Sequence, residues 1–495
     1  MSFTNESGSL HPFTEVVPDS AALGGLTKSS ILTQRRRARI TPQTGISYGS
    51  SGSGAANSQI QFLLADQGGL VDPRSICINY AIQTTGTGDE VCDDGHVFNT
   101  VQILLNGQML DNIQNAAKLT NIEMKLGGSK TYYQTAGSFQ GFELLNPDLT
   151  CTVALGSTNV TAAMMPQYGY VAQNLTDMSA RTARAANVLW NGIAGEFRSI
   201  PLGLISGVGR MKQYIPVAVL GELVFTLITG SDSDIMFQNN STLDATYSLS
   251  QVSMTYDVVV PDQRYADLLR KVATEHEGHG LTLPFESTVV TTGGVISGNS
   301  SASLLESSII VSRATNHLLR TAVVQIPSSL LSSRAYPDQS CFSHAGTFSV
   351  QWRIGSQTYP LIAAQGDADM FSVALSSYGS VEQQNGSCVN RVLWGNSTNA
   401  STAGTPAVYE TSQAASGGSV KFWGADSFIP AYGFQTVKGA AEPLDVDGVS
   451  LAGASGSQLI TTLVSAPYVN YTPYVSLVAL KFVSARGGAV LVQGA

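Results

Sequence analysis

The sequence is short of charge. Only 12% of its 495 residues are Asp, Glu, Lys or Arg, against about 25% in an ordinary globular domain. A surface with so few ions can pack against copies of itself without burying many unpaired charges. That suits a subunit of a large assembly, and equally a Ser/Thr-rich secreted β-protein. Cysteine is sparse as well. Cys77, Cys92, Cys151, Cys341 and Cys388 are widely spaced, odd in number and form no C-x-x-C. This argues against a disulfide framework and for free thiols in a reducing compartment. The longest apolar run, VAVLGELVFTLI at 217–228, is interrupted by Glu222 and is too short to span a bilayer. The opening MSFTNESGSL lacks the basic-then-apolar order of a signal peptide. We therefore expect a soluble chain that is not secreted by that route.

Catalytic motifs are scarce too. HEGH at 276–279 places two histidines three apart, with Gly278 between them. A zinc-protease helix needs them four apart, with no helix breaker. A polar linker end is the simpler reading. SDSD at 231–234 is followed by neither the spacing nor the terminal Glu of a calcium loop, and it reads as a solvated hairpin loop. The Gly/Ser-rich segments lack the strand, Gly-rich loop, Lys-Ser/Thr order of a phosphate loop, and there is no G-x-S-x-G elbow. We expect no catalytic residue, no metal site and no cofactor.

What is present is one concentrated basic block. In TQRRRARI, residues 33–40, Arg35, Arg36, Arg37 and Arg39 lie within five positions. Residues 1–54 carry a net +2, which leaves −11 on the remainder of a chain whose total is −9. Arginine has a permanent charge and a donor fork that matches phosphate. Four charges without interleaved aromatics predict nonspecific, salt-sensitive contact rather than sequence readout. The alternatives are a solvated tail or docking to acidic patches on sister subunits.

Beyond residue 54 the pattern is β. Val101, Ile103 and Leu105 alternate up to Asn106-Gly107, a dipeptide suited to a type I′ turn. Residues 108–127 suggest a short helix. Residues 214–230 form the strongest strand candidate, with Val217, Val219, Leu223, Phe225 and Leu227 in one phase. In 245–260 the phase changes between Leu249 and Val252, which predicts a bulge near Ser250–Gln251. Tyr265, Leu268, Leu269 and Val272 recur at helical spacing and predict one helix within 261–278. Further strands are expected at 303–313, 346–356, 418–424, 457–466 and 474–485, with a long polar loop over 380–418. FRSIPLGLI (197–205) and FIPAYGF (428–434) echo one another before the closing strands of each half.

IPLGLISGVGRMKQYIPVAVLGELVFTLI (200–228) followed by YSLSQVSMTYDVVVPDQRYADLL (247–269) resembles the end of the first jelly roll in double jelly-roll major capsid proteins of virophages and polinton-like viruses. ILLNGQMLDNI (103–113), VQWRIGSQTYPLIAAQGDADMFSVAL (350–375) and FIPAYGFQTVKGAAEPLDVDGVSLAG (428–453) are similar to other parts of that family, in the same order. The resemblance covers about a third of the chain. It implies an all-β fold of two tandem eight-stranded jelly-roll sandwiches, a homotrimer of pseudo-hexagonal outline, and a role in an icosahedral virion.

The expected organisation is a flexible arm with its basic block at 1–54, a first jelly roll at 55–260, a linking helix at 261–280 and a second jelly roll at 281–495. The expected partners are the chain itself, penton or minor capsid proteins, and packaged DNA or an inner membrane through Arg35, Arg36, Arg37 and Arg39. The rival classes are a two-domain glycan-binding or fibre-like protein, with 380–418 as its recognition surface, and a carbohydrate-active hydrolase.

Overall fold

Alternation of apolar and polar residues at period two fixes most of the elements. They were traced in a computed structural model that describes residues 32–50, 58–65, 69–85, 90–92, 95–128, 196–238, 246–274, 281–298, 304–328, 342–378, 428–434, 448–451, 458–467, 470–486 and 489–493. It also describes 132, 137, 140, 154–155, 158–159, 188–190, 193–194, 331 and 394.

The first half begins with β1 (Leu32–Ile40), β2 (Ser47–Gly49), β3 (Gln59–Leu64), β4 (Leu70–Thr85) and β5 (Glu90–Cys92). The hairpin β6 (Phe98–Leu105) and β7 (Gln108–Gln114) leads into helix α1 (Ala116–Gly127). Four short strands follow: β8 (Ala154–Leu155), β9 (Thr158–Asn159), β10 (Val188–Trp190) and β11 (Ile193–Ala194). Then come β12 (Glu196–Pro201), β13 (Leu223–Thr229), β14 (Met236–Gln238) and β15 (Thr246–Pro261). One sheet runs β1-β15-β4-β12, with β2 also on β15, and the facing sheet runs β3-β13-β6-β7.

Helix α2 (Gln263–Thr274) links the halves. The second half carries β16 (Leu281–Thr292), β17 (Leu305–Ser312), β18 (Leu318–Pro327), β19 (Thr347–Ile354) and β20 (Gln357–Gln365). Helix α3 (Gly366–Tyr378), β21 (Ala431–Gly433), β22 (Gln458–Ser465), β23 (Tyr471–Arg486) and β24 (Ala489–Gln493) complete it. Its sheets run β16-β23-β18-β21, with β24 on β23, and β17-β22-β19-β20. Both halves therefore thread eight principal strands through the same order. Two four-stranded faces built this way make a jelly roll, and the chain is a double jelly roll.

Several local expectations hold. Asn106 and Gly107 both take positive φ, at 47° and 76°, as the tight turn between β6 and β7 requires. The pairing of β15 with β4 slips between Ser250 and Ser253, and Gln251 sits at φ 52°; this is the expected bulge. The two echoing segments occupy matching places, since β12 pairs with β4 and β21 with β18.

Others need correction. The expected flexible arm does not describe residues 32–40 and 47–49, which are strands paired with β15. Ala38 and Ile40 pack against the core and Tyr48 is fully buried, so the first jelly roll starts at β1 rather than at residue 55. Residues 108–114 are strand, because the Asn-Gly turn needs a returning partner; the helix begins only at Ala116. Residues 217–220 form one helical turn after Pro216, ended by Gly221 at φ 98°, so the strand starts at Leu223. SDSD is not an open loop. Ser231 caps a helical turn over Asp232–Ile235 through its hydroxyl. HEGH, the 418–424 strand and, apart from Trp394, the 380–418 loop lie outside the described residues.

Candidate functional site

The basic block lies in β1 at a sheet edge. Arg36, Ala38 and Ile40 stand opposite Val258, Tyr256 and Met254, all of them core residues. Arg35, Arg37 and Arg39 therefore share the outer face. Arg35 lies 2.7 Å from Asp257 Oδ2 and 3.1 Å from Asp72 Oδ2, and its hydrogen bond to Asp257 raises its pKa. Because that guanidinium is more than half exposed, the pair contributes little stability, but it fixes the side chain. Arg37 Nη2 donates to Thr255 Oγ1 at 3.2 Å. Thr255 Oγ1 also accepts from Asn79 Nδ2 at 3.2 Å, and Asn79 Oδ1 accepts from the Ser199 hydroxyl at 2.7 Å. A polar row thus crosses β1, β15, β4 and β12 on the outer face. Beside it, burial pushes the Cys77 thiol up despite Arg37. That leaves the group protonated and a poor nucleophile at neutral pH.

A second polar cluster closes the seam between the sandwiches. Asp111 on β7 accepts from Ser206 at 2.7 Å and from Ser287 of β16 at 2.8 Å. Burial raises its pKa against the pull of both hydroxyls. Next to it, Gly207 sits directly on the Glu286 backbone. Arg320 grips Glu286 with two hydrogen bonds of 3.2 and 2.9 Å, and Arg210 donates to Glu123 at 2.8 Å. Contacts of 3.8 Å (Arg210 to Glu286) and 3.9 Å (Arg320 to Glu123) join the two pairs across the seam. Burial alone would raise Glu286, but Arg320 and Arg210 outweigh it and hold the carboxyl below its ordinary value. Two guanidinium groups and two carboxylates leave the cluster neutral. The Lys118 ammonium lies 3.9 Å above the Tyr474 ring, adding a cation–π contact between the halves.

The sequence singled out the four arginines, and the structure brings them together on one strand. It gave no sign of the seam, whose members are spread from Asp111 to Tyr474. The sequence signal nearest to it was the low overall charge, which leaves few Arg and Glu residues to account for. Among the described residues no group of three or more His, Cys, Asp or Glu could hold a metal ion. No helix among them is long and apolar enough to cross a membrane.

No protein-family model and no curated protein sequence matches the chain. Solved structures do. A chain of the Sputnik virophage solved by cryo-EM is 14% identical, with a TM-score of 0.55 over 94% of this chain and 89% of that one. PBCV-1 VP54, as fitted into a reconstruction of the same virophage, is 9% identical, with a TM-score of 0.52 over 94% and 98%. A chain of the PBCV-1 virus capsid gives the same values. At these identities the likeness is one of fold, and it extends through both sandwiches.

Proposed function

We propose that this chain is the major capsid protein of a non-enveloped icosahedral DNA virus, a structural subunit of the virion rather than an enzyme. The observation that carries the reading is the likeness of fold to a chain of the PBCV-1 virus capsid over 94% of the sequence. The scarcity of charge supports it, since broad subunit contacts then bury few ions. So does the seam, which ties two sandwiches into one building block. In this reading three copies close a ring of six sandwiches around a three-fold axis, giving a pseudo-hexagonal capsomer. Neighbouring capsomers and penton or minor capsid proteins complete the shell.

The test is size-exclusion chromatography with light scattering, followed by negative-stain microscopy. The expected result is a mass three times the 52.0 kDa of one chain and pseudo-hexagonal particles. A stable monomer across micromolar concentrations overturns the reading.

A further inference from the structure

The two sandwiches can be laid strand on strand. β1, β3, β4, β6, β7, β12, β13 and β15 take the places of β16 to β23 in order. Within the chain, edge strand β7 of the first sandwich meets edge strand β16 of the second through Ser287 on Asp111, and beside it Gly207, in the helical turns between β12 and β13, packs on Glu286. The matching edges are β20 and β1, and they belong to the wrong sandwiches to meet each other in the same way. Each lacks the partner that its counterpart has.

Both edges are specialised where the contact would fall. The hairpins align at their turns, where Leu105 faces Gln108 and Ile354 faces Gln357. Ile113 opposite Val101 then corresponds to Ala364 opposite Val350, and Asp111 opposite Ile103 to Tyr359 opposite Trp352. Between these positions β7 has one residue, Asn112, whereas β20 has four, Pro360 to Ala363. The extra residues project Leu361 and Ile362, which are 85% and 79% exposed. An apolar knob thus stands beside the place where the first sandwich has its docking carboxylate. On β16, Leu281, Leu283 and Phe285 are buried, so Glu286 faces outward, toward the first sandwich. The same face of β1 carries Arg35, Arg37 and Arg39. Charge follows the same logic. The helix after β20 opens with Asp367 and Asp369, whereas the helix after β7 has no acid in its first turn.

We propose that the β20 bulge of one copy docks on the outer arginine face of β1 in a second copy, with the acidic start of α3 beside it. The arginine block is then an assembly element, and its partner is another copy of this chain. The inference rests on the capsomer reading and names its contact. Such a head-to-tail contact is heterologous, and in the three-fold capsomer it repeats around a closed ring. Charges and bulges also protect sheet edges against strand addition, so mutation must separate protection from docking.

Two variants do so: Leu361→Ser with Ile362→Ser, and Arg37→Glu with Arg39→Glu. Arg35 is left in place for its pair with Asp257. Light scattering should show trimer for the parent chain and monomer for either variant at micromolar concentration, with unchanged circular dichroism. An equimolar mixture should yield a dimer and nothing larger, because one intact pair of faces remains. If the parent is trimeric and both variants are trimeric too, this contact is wrong and the capsomer reading survives. If the parent is monomeric, both fall. If the arginine variant trimerises but loses the salt-sensitive binding of a short DNA duplex shown by the parent, the partner of β1 is nucleic acid and the proposal is overturned.

Discussion

Replacing Gly207 with alanine should pry the two sandwiches apart. A Cβ at this position would lie 2.0 Å from the Glu286 carbonyl oxygen, 2.7 Å from its carbonyl carbon and 2.8 Å from its Cβ. Two of those atoms are backbone in the middle of a paired strand, so no side chain can swing away. Restoring even a tight 3.4 Å contact needs β16 to retreat by about 1.4 Å. The neighbouring Ser287 hydroxyl would then lose Asp111, which it now reaches at 2.8 Å. Overpacking of this kind costs about 1–3 kcal/mol, and a lost hydrogen bond to a buried charged group about 1.5–3 kcal/mol. Together they place Gly207→Ala about 3–5 kcal/mol below the parent. The assay is urea unfolding followed by far-ultraviolet circular dichroism, which sees both halves. Tryptophan fluorescence runs alongside it in a Trp190→Phe background, so that the remaining three tryptophans, buried Trp352 among them, all report from the second half. In the variant the midpoint should fall and the two probes should separate. The control is Gly294→Ala, whose added Cβ meets nothing within 4 Å; it should stay within about 0.5 kcal/mol of the parent. If Gly207→Ala unfolds like the control, with coincident probes, the seam does not hold the sandwiches together and the reasoning fails.

The charged members of the seam give predictions of opposite sign. Glu286 is held below its ordinary value, so its contribution is present above the ordinary carboxylate range and fades as pH falls through its folded pKa. Glu286→Gln should cost about 1–3 kcal/mol at neutral pH by taking the paired carboxylate from Arg320, while Arg210 keeps Glu123, and the gap should narrow in acid; a pH-independent gap in denaturant midpoints would contradict this. The Asp111 pKa is instead raised by burial. Its linkage favours the fold at pH values below the unfolded carboxyl pKa, and that stability is lost as pH rises through the folded one. Asp111→Asn should therefore be neutral or stabilising by about 1 kcal/mol at pH 7; a lowered melting temperature there would refute it. On the outer face, Thr255→Val removes the acceptor shared by Arg37 and Asn79 and should cost about 1 kcal/mol, read as a shift in urea midpoint without a change in slope.

What could be read from the sequence was whatever its local pattern encodes. The Asn106-Gly107 turn, the phase change before Val252 and the helical spacing from Tyr265 to Val272 each lie within a few residues, and each was found where expected. β1 was missed for a physical reason. An edge strand needs only a thin apolar stripe, here Ala38 and Ile40, and four arginines in nine residues mask that alternation. The error at 108–114 came from weighing helical spacing at Ile113, Ala116 and Ala117 above the hairpin that the turn had already announced. The seam could not be read at all. Asp111, Ser206 and Ser287 are separated by 95 and 176 residues from Asp111 onward, and no local pattern links them. Only the tertiary fold decides that Glu286 is half-buried between arginines rather than solvated.

The way the edges are treated links the fold to assembly. Two jelly rolls present eight sheet edges, and every edge strand is a template for unwanted pairing. At the seam, β7 and β16 meet through side chains, with Gly207 of the segment between β12 and β13 packed beside them on Glu286. Among the described residues no backbone pairing joins them. A contact of that kind sets one distance and one angle, whereas strand addition could propagate as a continuous sheet. Arginines along β1 and a four-residue bulge in β20 both discourage continuous backbone pairing, yet leave side chains free to dock. If the same rule governs contacts between copies, the chain repeats outside the molecule the joint it already makes inside. The difference in chemistry is then expected. The internal seam is formed once, on folding, and can hold a half-buried neutral cluster of four charges. A contact between copies must form from solvated surfaces, which favours an exposed apolar knob and a basic face opposite two carboxylates.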